Sequence, residues 1–397
     1  MRPLNLTLTS PLPDLLLCAD GTRAATAAAW EGKRRPEVLD LCKQCLFGAF
    51  PEPRPVQCER EDGIETVLAG IPAVREQFTL RFAGIEVALL VFRPVETGGP
   101  APCLFSYNYK GNPSIHPDPG IRGRLHSDFK RGSRTHCHSL PAILGSGFAF
   151  ATACYEDVER DIEAIGTPDI SWETGVRRTL EDELPHTAWG SIGAWAWGEV
   201  RIVEALQTLP GIDPGKIFVG GLSRHGKASL WAAANDERIA GVISNGSCAA
   251  GASLVRHVDK GTETLTDMAR FDNWFAPAYY EYKNREDEFP IDQHFLLALA
   301  APRPLYIADS EDDLWADPQG EFMGLQAASP AYALYGLGGF ENAAYPKPYG
   351  YAWCGNQGFQ LRTGEHASTP FEWWGYTRFL KRCLAGDTTF QARNLWD

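Results

Sequence analysis

The sequence lacks the long apolar runs that would mark a membrane protein. Nothing in it approaches the ~18 uninterrupted apolar residues of a transmembrane helix. The first segment, MRPLNLTLTSPLPDLLLC, is broken by Pro11, Pro13 and Asp14, whereas a secretory signal needs a longer apolar stretch. We therefore expect a cytoplasmic protein with no membrane partner, with export left open.

Basic residues are fewer than acidic ones. The chain has 37 Lys and Arg against 50 Asp and Glu, a formal net charge of -13. This balance disfavours a polyanion such as nucleic acid as the main partner, and no polybasic patch is present for an anionic membrane. A small molecule or a neutral glycan is the better fit, and nothing in the sequence indicates an oligomeric state.

The sequence also lacks a disulfide framework and a metal motif. Its ten cysteines are scattered, which is typical of buried thiols. The single C-x-x-C, Cys42 and Cys45, has no second pair at zinc-ribbon spacing, and the pair His136 and His138 in THCHS has no carboxylate at a fixed short spacing. We expect no metal and no other cofactor.

What the chain does have is an alternation of predicted strands and helices. Its 397 residues are 44% hydrophobic, enough for a large core. TLRFAGIEVALLVFRP predicts paired antiparallel strands, and from SIGAWAWGEVRIVEALQTL onward helical and strand patterns alternate. The fold class is therefore α/β, with a mostly parallel central sheet between two helical layers and an antiparallel N-terminal edge.

No composition break requires a second large domain. We predict an N-terminal extension over residues 1–60 that packs on the core, followed by one catalytic domain over 61–397. Residues near 155–190, which include TPDISWETGVRRTLEDELPHT, carry charge without a clear period and are predicted to be an insertion.

Ser223 lies in KIFVGGLSRHGKASLWAA, between a predicted strand and a predicted helix. α/β hydrolases place their nucleophile on such a turn, where small neighbours permit a strained backbone. The spacing is G-x-S-x-x-G, one residue longer than the usual pattern. A serine among glycines is otherwise a turn residue, but the flanking strand and helix favour a nucleophile.

A serine nucleophile needs a histidine base and a carboxylate, here in the chain order serine, acid, histidine. His366 lies in a polar loop before the last helix, and DSEDDLWADP follows a strand and offers several carboxylates. These are Asp309, Glu311, Asp312, Asp313 and Asp317. The oxyanion that forms during ester cleavage needs hydrogen-bond donors, and we expect the backbone N–H of Arg224 and an amide from the loop 107–112 to supply them. The Arg224 side chain is either a further donor or a surface cation.

Several segments resemble the glucuronoyl esterases, carbohydrate esterase family fifteen. The family carries G-C-S-R-x-G-K at its nucleophile, and this chain has GLSRHGK, with Leu222 in place of the cysteine. FSYNYKGNPSI, HFLLALAAPRPLYIADSEDDLWADPQGEF and TGEHASTPFEW are similar to segments of the bacterial members, so the resemblance covers most of the chain. It implies the α/β-hydrolase fold.

The resemblance also implies roles for individual residues. Ser223 matches the nucleophile, Arg224 an oxyanion donor and His366 the base. Three further positions match groups that bind the sugar: Lys227, Glu263 and Trp315.

Two positions depart from the family pattern. Fungal members place the acid where this chain has Gly246, so we expect the later loop to supply it, with Asp313 first and Asp312 second. Phe271 stands where fungal members have a glutamate that contacts the sugar. The second departure leaves the ester substrate open, whereas ester hydrolysis is expected in either case.

Three functions follow as hypotheses. The first is a serine esterase that hydrolyses the ester of a glucuronoyl or 4-O-methyl-glucuronoyl carboxyl with an alcohol, as in lignin–carbohydrate links, on a small-molecule or oligosaccharide substrate. The second is the same chemistry on another ester, such as acetylated xylan. The third is a non-catalytic scaffold of the same fold, which would require one triad member to be misplaced.

Overall fold

The computed structural model describes residues 4–95, 98–161 and 171–394. Its strands within those ranges are β1 (Gln57–Leu68), β2 (Ile71–Phe82), β3 (Ile85–Pro94), β4 (Ala101–Phe105), β5 (Ala149–Thr152), β6 (Ile212–Leu222), β7 (Gly241–Asn245), β8 (Leu305–Ser310), β9 (Gly350–Cys354), β10 (Gln357–Arg362) and β11 (Gln391–Asn394). Its α-helices there are α1 (Ala27–Ala29), α2 (Arg35–Cys42), α3 (Leu140–Gly145), α4 (Val176–Thr179), α5 (Ser191–Leu206), α6 (Arg224–Asn235), α7 (Leu265–Met268), α8 (Pro277–Glu281), α9 (Gln293–Ala298), α10 (Pro318–Ala333) and α11 (Pro370–Leu384).

The strands form one sheet in the order β1-β2-β3-β5-β4-β6-β7-β8-β10-β9-β11. The six strands from β5 to β10 in that order are parallel, and their carboxyl ends meet at one edge. β2 and β3 form the predicted antiparallel pair, with the turn at Ala83 and Gly84, and β1, which was not predicted, extends this edge. β9 and β11 add a second antiparallel edge that was not predicted, so the sheet is more mixed than the sequence indicated.

Helices cover both faces of the sheet. α3 and α11 pack together on one face, over a cluster that includes Phe150 and Phe379. α5, α6, α9 and α10 cover the other face, over a larger cluster that includes Trp195 and Trp231. α5 is almost wholly buried, which explains why its sequence is apolar on every side.

The N-terminal segment contributes to the larger cluster. Trp30, Val38 and Phe47 are fully buried in it, and the ring of Phe47 lies 5.4 Å from that of Trp231 on α6. Trp30–Arg34 and Lys43–Phe47 are π-helical continuations of α1 and α2. Cys42 and Cys45 therefore lie on a buried helical face, where burial raises the pKa of the Cys45 thiol to about 11.

The predicted insertion near 155–190 is described only in part, since residues 162–170 lie outside the described residues. Its described flanks are held by a buried ion pair between Arg177 and Glu159, and Arg177 Nη2 also donates to Ser191 Oγ at 2.9 Å. These contacts hold the flanking residues Glu159 and Arg177 against the start of α5. Within the described ranges, no helix combines the length and apolar character needed to cross a bilayer.

Candidate active site

Ser223 occupies the turn between β6 and α6. Its φ of 59° and ψ of -126° are values that a residue with a side chain rarely adopts. The turn is held by Ser223 N–H, which donates to Asn245 O at 2.8 Å. A Cβ at Gly221 would lie 2.4 Å from Cβ of His225, and one at Gly226 would lie 2.8 Å from Ser244 Oγ. Both glycines are therefore required for the close turn.

His366 and Asp313 meet beside this turn from two loops. His366 lies between β10 and α11, and Asp313 lies between β8 and α10. His366 Nδ1 is hydrogen-bonded to Asp313 Oδ2. Since that bond occupies Nδ1, the other ring nitrogen, Nε2, is the one available to a group in the cleft that His366 and Ser223 both line.

The remaining carboxylates of DSEDDLWADP have other environments. Asp312 Oδ2 accepts a hydrogen bond from Gly364 N–H at 2.6 Å. Asp317 binds His257 at 2.8 Å, and Asp309 is buried, which raises its pKa well above the ordinary value. Asp313, in contrast, is hydrogen-bonded to His366.

The fungal acid position also lies next to His366. A Cβ at Gly246 would be 3.3 Å from His366 Nδ1, so a carboxylate at that position could reach the ring. With glycine there, Asp313 supplies the acidic partner from the opposite loop.

Arg224 lies along one wall of the cleft. Its guanidinium forms an ion pair with Asp161 and lies 4.6 Å from the ring centre of Trp274. Burial opposes the charge on Arg224, but Asp161 and the neighbouring tyrosines outweigh it and raise the guanidinium pKa above its usual value. Arg224 is therefore a fixed cation beside Ser223.

Three groups predicted from the resemblance line the same cleft: Lys227, Glu263 and Trp315. Lys227 is 1% exposed, and its Nζ donates to Ser247 O. Burial raises the pKa of Glu263 to about 7, while Trp315 is 42% exposed. The cleft thus combines cationic, acidic and aromatic groups near Ser223.

All seven predicted site residues are brought together in this cleft. Two further residues that the sequence did not indicate contact groups of this cleft. Arg270 donates to Glu263 Oε1 at 3.2 Å and lies 4.4 Å from the ring centre of Trp315, and Asp161 pairs with Arg224. Neither belongs to a sequence motif, so only their contacts in the folded chain reveal them.

The predicted loop 107–112 contacts the turn from the other side. Tyr109 OH donates to Leu222 O at 2.6 Å, and its ring stacks on His225 at 4.0 Å. Residues 107–110 of this loop line a neighbouring cavity, and the loop does not contribute to the walls described for the Ser223 cleft.

Comparison with known proteins identifies the family. A family model described as glucuronyl esterase, fungi, matches residues 184–336. A curated carbohydrate esterase from an unknown prokaryotic organism is 32% identical over 395 residues, covering 94% of this chain and 90% of the relative. The 4-O-methyl-glucuronoyl methylesterase of Neurospora crassa is 37% identical over 343 residues, covering 83% of this chain and 74% of the relative.

A solved structure agrees with these relatives. The glucuronoyl esterase from Solibacter usitatus has 31% sequence identity and a TM-score of 0.83, covering 94% of this chain and 97% of that one. The predicted α/β-hydrolase fold and the predicted resemblance are confirmed. The chain is a carboxylic ester hydrolase and belongs to carbohydrate esterase family 15, the glucuronoyl esterases.

Proposed function

We propose that this protein hydrolyses the ester between a glucuronoyl or 4-O-methyl-glucuronoyl carboxyl and an alcohol, through an acyl-enzyme on Ser223. The observation that carries the proposal is the single cleft in which Ser223 lies with His366, itself bonded to Asp313. Relatives named 4-O-methyl-glucuronoyl methylesterase support the choice of substrate.

The reaction follows the chemistry of a serine hydrolase. His366 takes the proton from Ser223 Oγ as that oxygen attacks the ester carbonyl. The tetrahedral oxyanion is stabilised by the N–H of Arg224 at the start of α6 and by its guanidinium. His366 then protonates the leaving alcohol. In the second half of the reaction His366 takes a proton from water, the water oxygen attacks the acyl-enzyme carbonyl, and the uronate is released from Ser223. Asp313 orients His366 and stabilises its cationic form.

The uronate ring is bound by the opposite part of the cleft. Trp315 offers an apolar plane to the C–H face of a sugar, while Lys227 and Glu263 are hydrogen-bonding partners for its hydroxyls.

Phe271 makes a second class of ester a candidate substrate. Its ring stacks on Trp274 at 3.9 Å, so an apolar surface stands where fungal relatives have a carboxylate. An acyl group with fewer hydroxyls, such as acetate, is the second candidate.

The proposal is tested by measuring hydrolysis of benzyl glucuronate and of p-nitrophenyl acetate by the wild type and by Ser223→Ala. We expect glucuronate turnover that falls by ~10³-fold or more in the variant. If the wild type hydrolyses the acetate but not the glucuronate, the substrate belongs to the second class of ester. Absence of both activities in folded wild type would favour a non-catalytic scaffold.

A further inference from the structure

The peptide that joins Leu222 to Ser223 is held in place on both sides of the nucleophile turn. Ser223 has a φ of 59° and a ψ of -126°, and a residue with a side chain keeps such a conformation only when surrounding contacts outweigh its cost. At one end of the peptide, Ser223 N–H donates to Asn245 O on β7 at 2.8 Å. The other end is Leu222 O, which needs a hydrogen-bond partner of its own.

Strand pairing does not supply that partner. The C=O and N–H of a trans peptide point in opposite directions, so Leu222 O points away from β7, toward the side of β6 on which β4 lies. β4 ends at Phe105, which is opposite Val219 in the register. The strand therefore stops before it reaches Leu222.

Tyr109, in the loop that follows β4, supplies the missing partner. Its hydroxyl donates to Leu222 O at 2.6 Å. Its ring stacks on that of His225 with 4.0 Å between the ring centres, and the ring of Tyr155 packs against it in a T-shaped contact at 5.7 Å. These ring contacts determine where the hydroxyl lies.

The Tyr109 hydroxyl stays a donor throughout the pH range of an ester assay. Burial raises its pKa to about 12, while the charge of Arg224 and a hydrogen bond with the Ser223 side chain oppose that rise. A protonated phenol donates one hydrogen bond and can also accept through its oxygen. One hydroxyl can therefore contact both the nucleophile and the peptide that precedes it.

We infer that Tyr109 is a positioning residue for the nucleophile. By binding Leu222 O, its hydroxyl holds the Leu222–Ser223 peptide in the orientation that the strained turn requires, and Ser223 Oγ then lies where His366 can take its proton. From the sequence we expected loop 107–112 to supply a backbone amide to the oxyanion, whereas this role belongs to a side chain of that loop. The inference rests on the proposed function, because it requires Ser223 to be the nucleophile.

The test is Tyr109→Phe, which removes the hydroxyl and keeps the ring. Without the hydrogen bond, the Leu222–Ser223 peptide can rotate and Ser223 can relax toward a common backbone conformation. Small displacements of a reacting group lower rates steeply, so we expect kcat for benzyl glucuronate to fall ~10–100-fold. KM should stay within ~3-fold of the wild-type value, because the groups that bind the sugar are unchanged.

Tyr107→Phe is the matched control from the same loop. Tyr107 is 2% exposed, and its hydroxyl donates to Trp195 O on α5 at 3.0 Å. Both variants lose one hydrogen bond from a phenol to a backbone carbonyl, so both should unfold at a lower denaturant concentration than the wild type. In Tyr107→Phe, however, kcat should stay within ~3-fold of the wild-type value.

A sulfonyl fluoride separates this inference from the choice of substrate. Ser223 Oγ attacks the sulfur of phenylmethanesulfonyl fluoride, fluoride leaves, and His366 takes the hydroxyl proton. The rate constant for this modification, followed by the mass of the adduct, should fall in Tyr109→Phe by a factor similar to that for kcat. Equal kcat and equal modification rates in the two folded variants would overturn the inference and leave the proposed function intact. Wild type that hydrolyses no ester and resists the reagent would instead overturn the proposed function.

If Tyr109→Phe does not fold, Tyr109→4-aminophenylalanine takes its place. The amine is a weaker donor on the same ring, so kcat should fall at least ~3-fold, while Tyr107→4-aminophenylalanine should change kcat by less than that. Equal kcat in these two proteins would overturn the inference.

Discussion

At the scale of single residues, Asp312 and Asp313 are neighbours in sequence with different partners. Asp313 binds His366 Nδ1, whereas Asp312 accepts from the backbone of Gly364. Asp313→Asn should lower kcat by about 10³–10⁴-fold, because an amide no longer holds the productive tautomer of His366 or stabilises its charge. Asp312→Asn is the matched control and should retain activity within ~10-fold. Equal losses in steady-state assays of the two variants would contradict the assignment.

Glu263 gives a pH-dependent prediction. Its pKa is raised by burial to about 7, from an ordinary value of 4.5. Between these two values the folded chain binds more protons than the unfolded chain, so this group makes the free energy of unfolding fall as pH rises through that window. Denaturant titrations at several pH values should show wild type losing stability relative to Glu263→Gln up to about pH 7, then a constant difference. If wild type instead gained stability relative to Glu263→Gln as the pH rises through this window, the raised pKa of Glu263 would be contradicted.

Residue types and spacing identified candidates for every triad role, while the order of the acids, Asp313 first and Asp312 second, depended on the family resemblance. Asp309, Glu311, Asp312, Asp313 and Asp317 lie within one short loop, and the choice depends on how β8 and β10 bring that loop to His366. Arg270 and Asp161 could not be predicted, because their partners are set by tertiary contacts.

At the scale of elements, the turn between β6 and α6 depends on glycines packed against neighbouring atoms. Gly221→Ala should reduce the free energy of unfolding by about 1–3 kcal/mol and displace Ser223, because its Cβ would lie 2.4 Å from that of His225. Gly215→Ala is the matched control on β6, since the nearest atom to its Cβ, Asp213 Oδ1, would be 3.6 Å away. Comparable stability and kcat in the two variants, measured by denaturant unfolding and turnover, would show that the turn tolerates a side chain.

The periodicity of the sequence predicted β6, α6 and α5 because each is long and has one clear pattern. It did not predict β9 and β11. These short strands complete the sheet only through pairing with β10 and with each other, and that pairing is a long-range property.

At the scale of the whole molecule, the N-terminal segment and the hydrolase core share one hydrophobic cluster. Trp30 is fully buried in it. Trp30→Ala should lower the free energy of unfolding by about 3–5 kcal/mol, and fluorescence and far-UV circular dichroism should report a single coincident transition. Trp315→Ala, which removes a 42% exposed ring, is the stability control. Two separated transitions would contradict a shared core.

The account as a whole depends on a covalent intermediate at Ser223. Methyl and benzyl glucuronate would form the same acyl-enzyme, so the leaving group has no influence on the products formed after the first step. The most direct test adds ethanol as a second acceptor and measures the ratio of ethyl glucuronate to glucuronic acid from each ester. The account predicts one ratio for both esters, and a ratio that depends on the leaving group would contradict it.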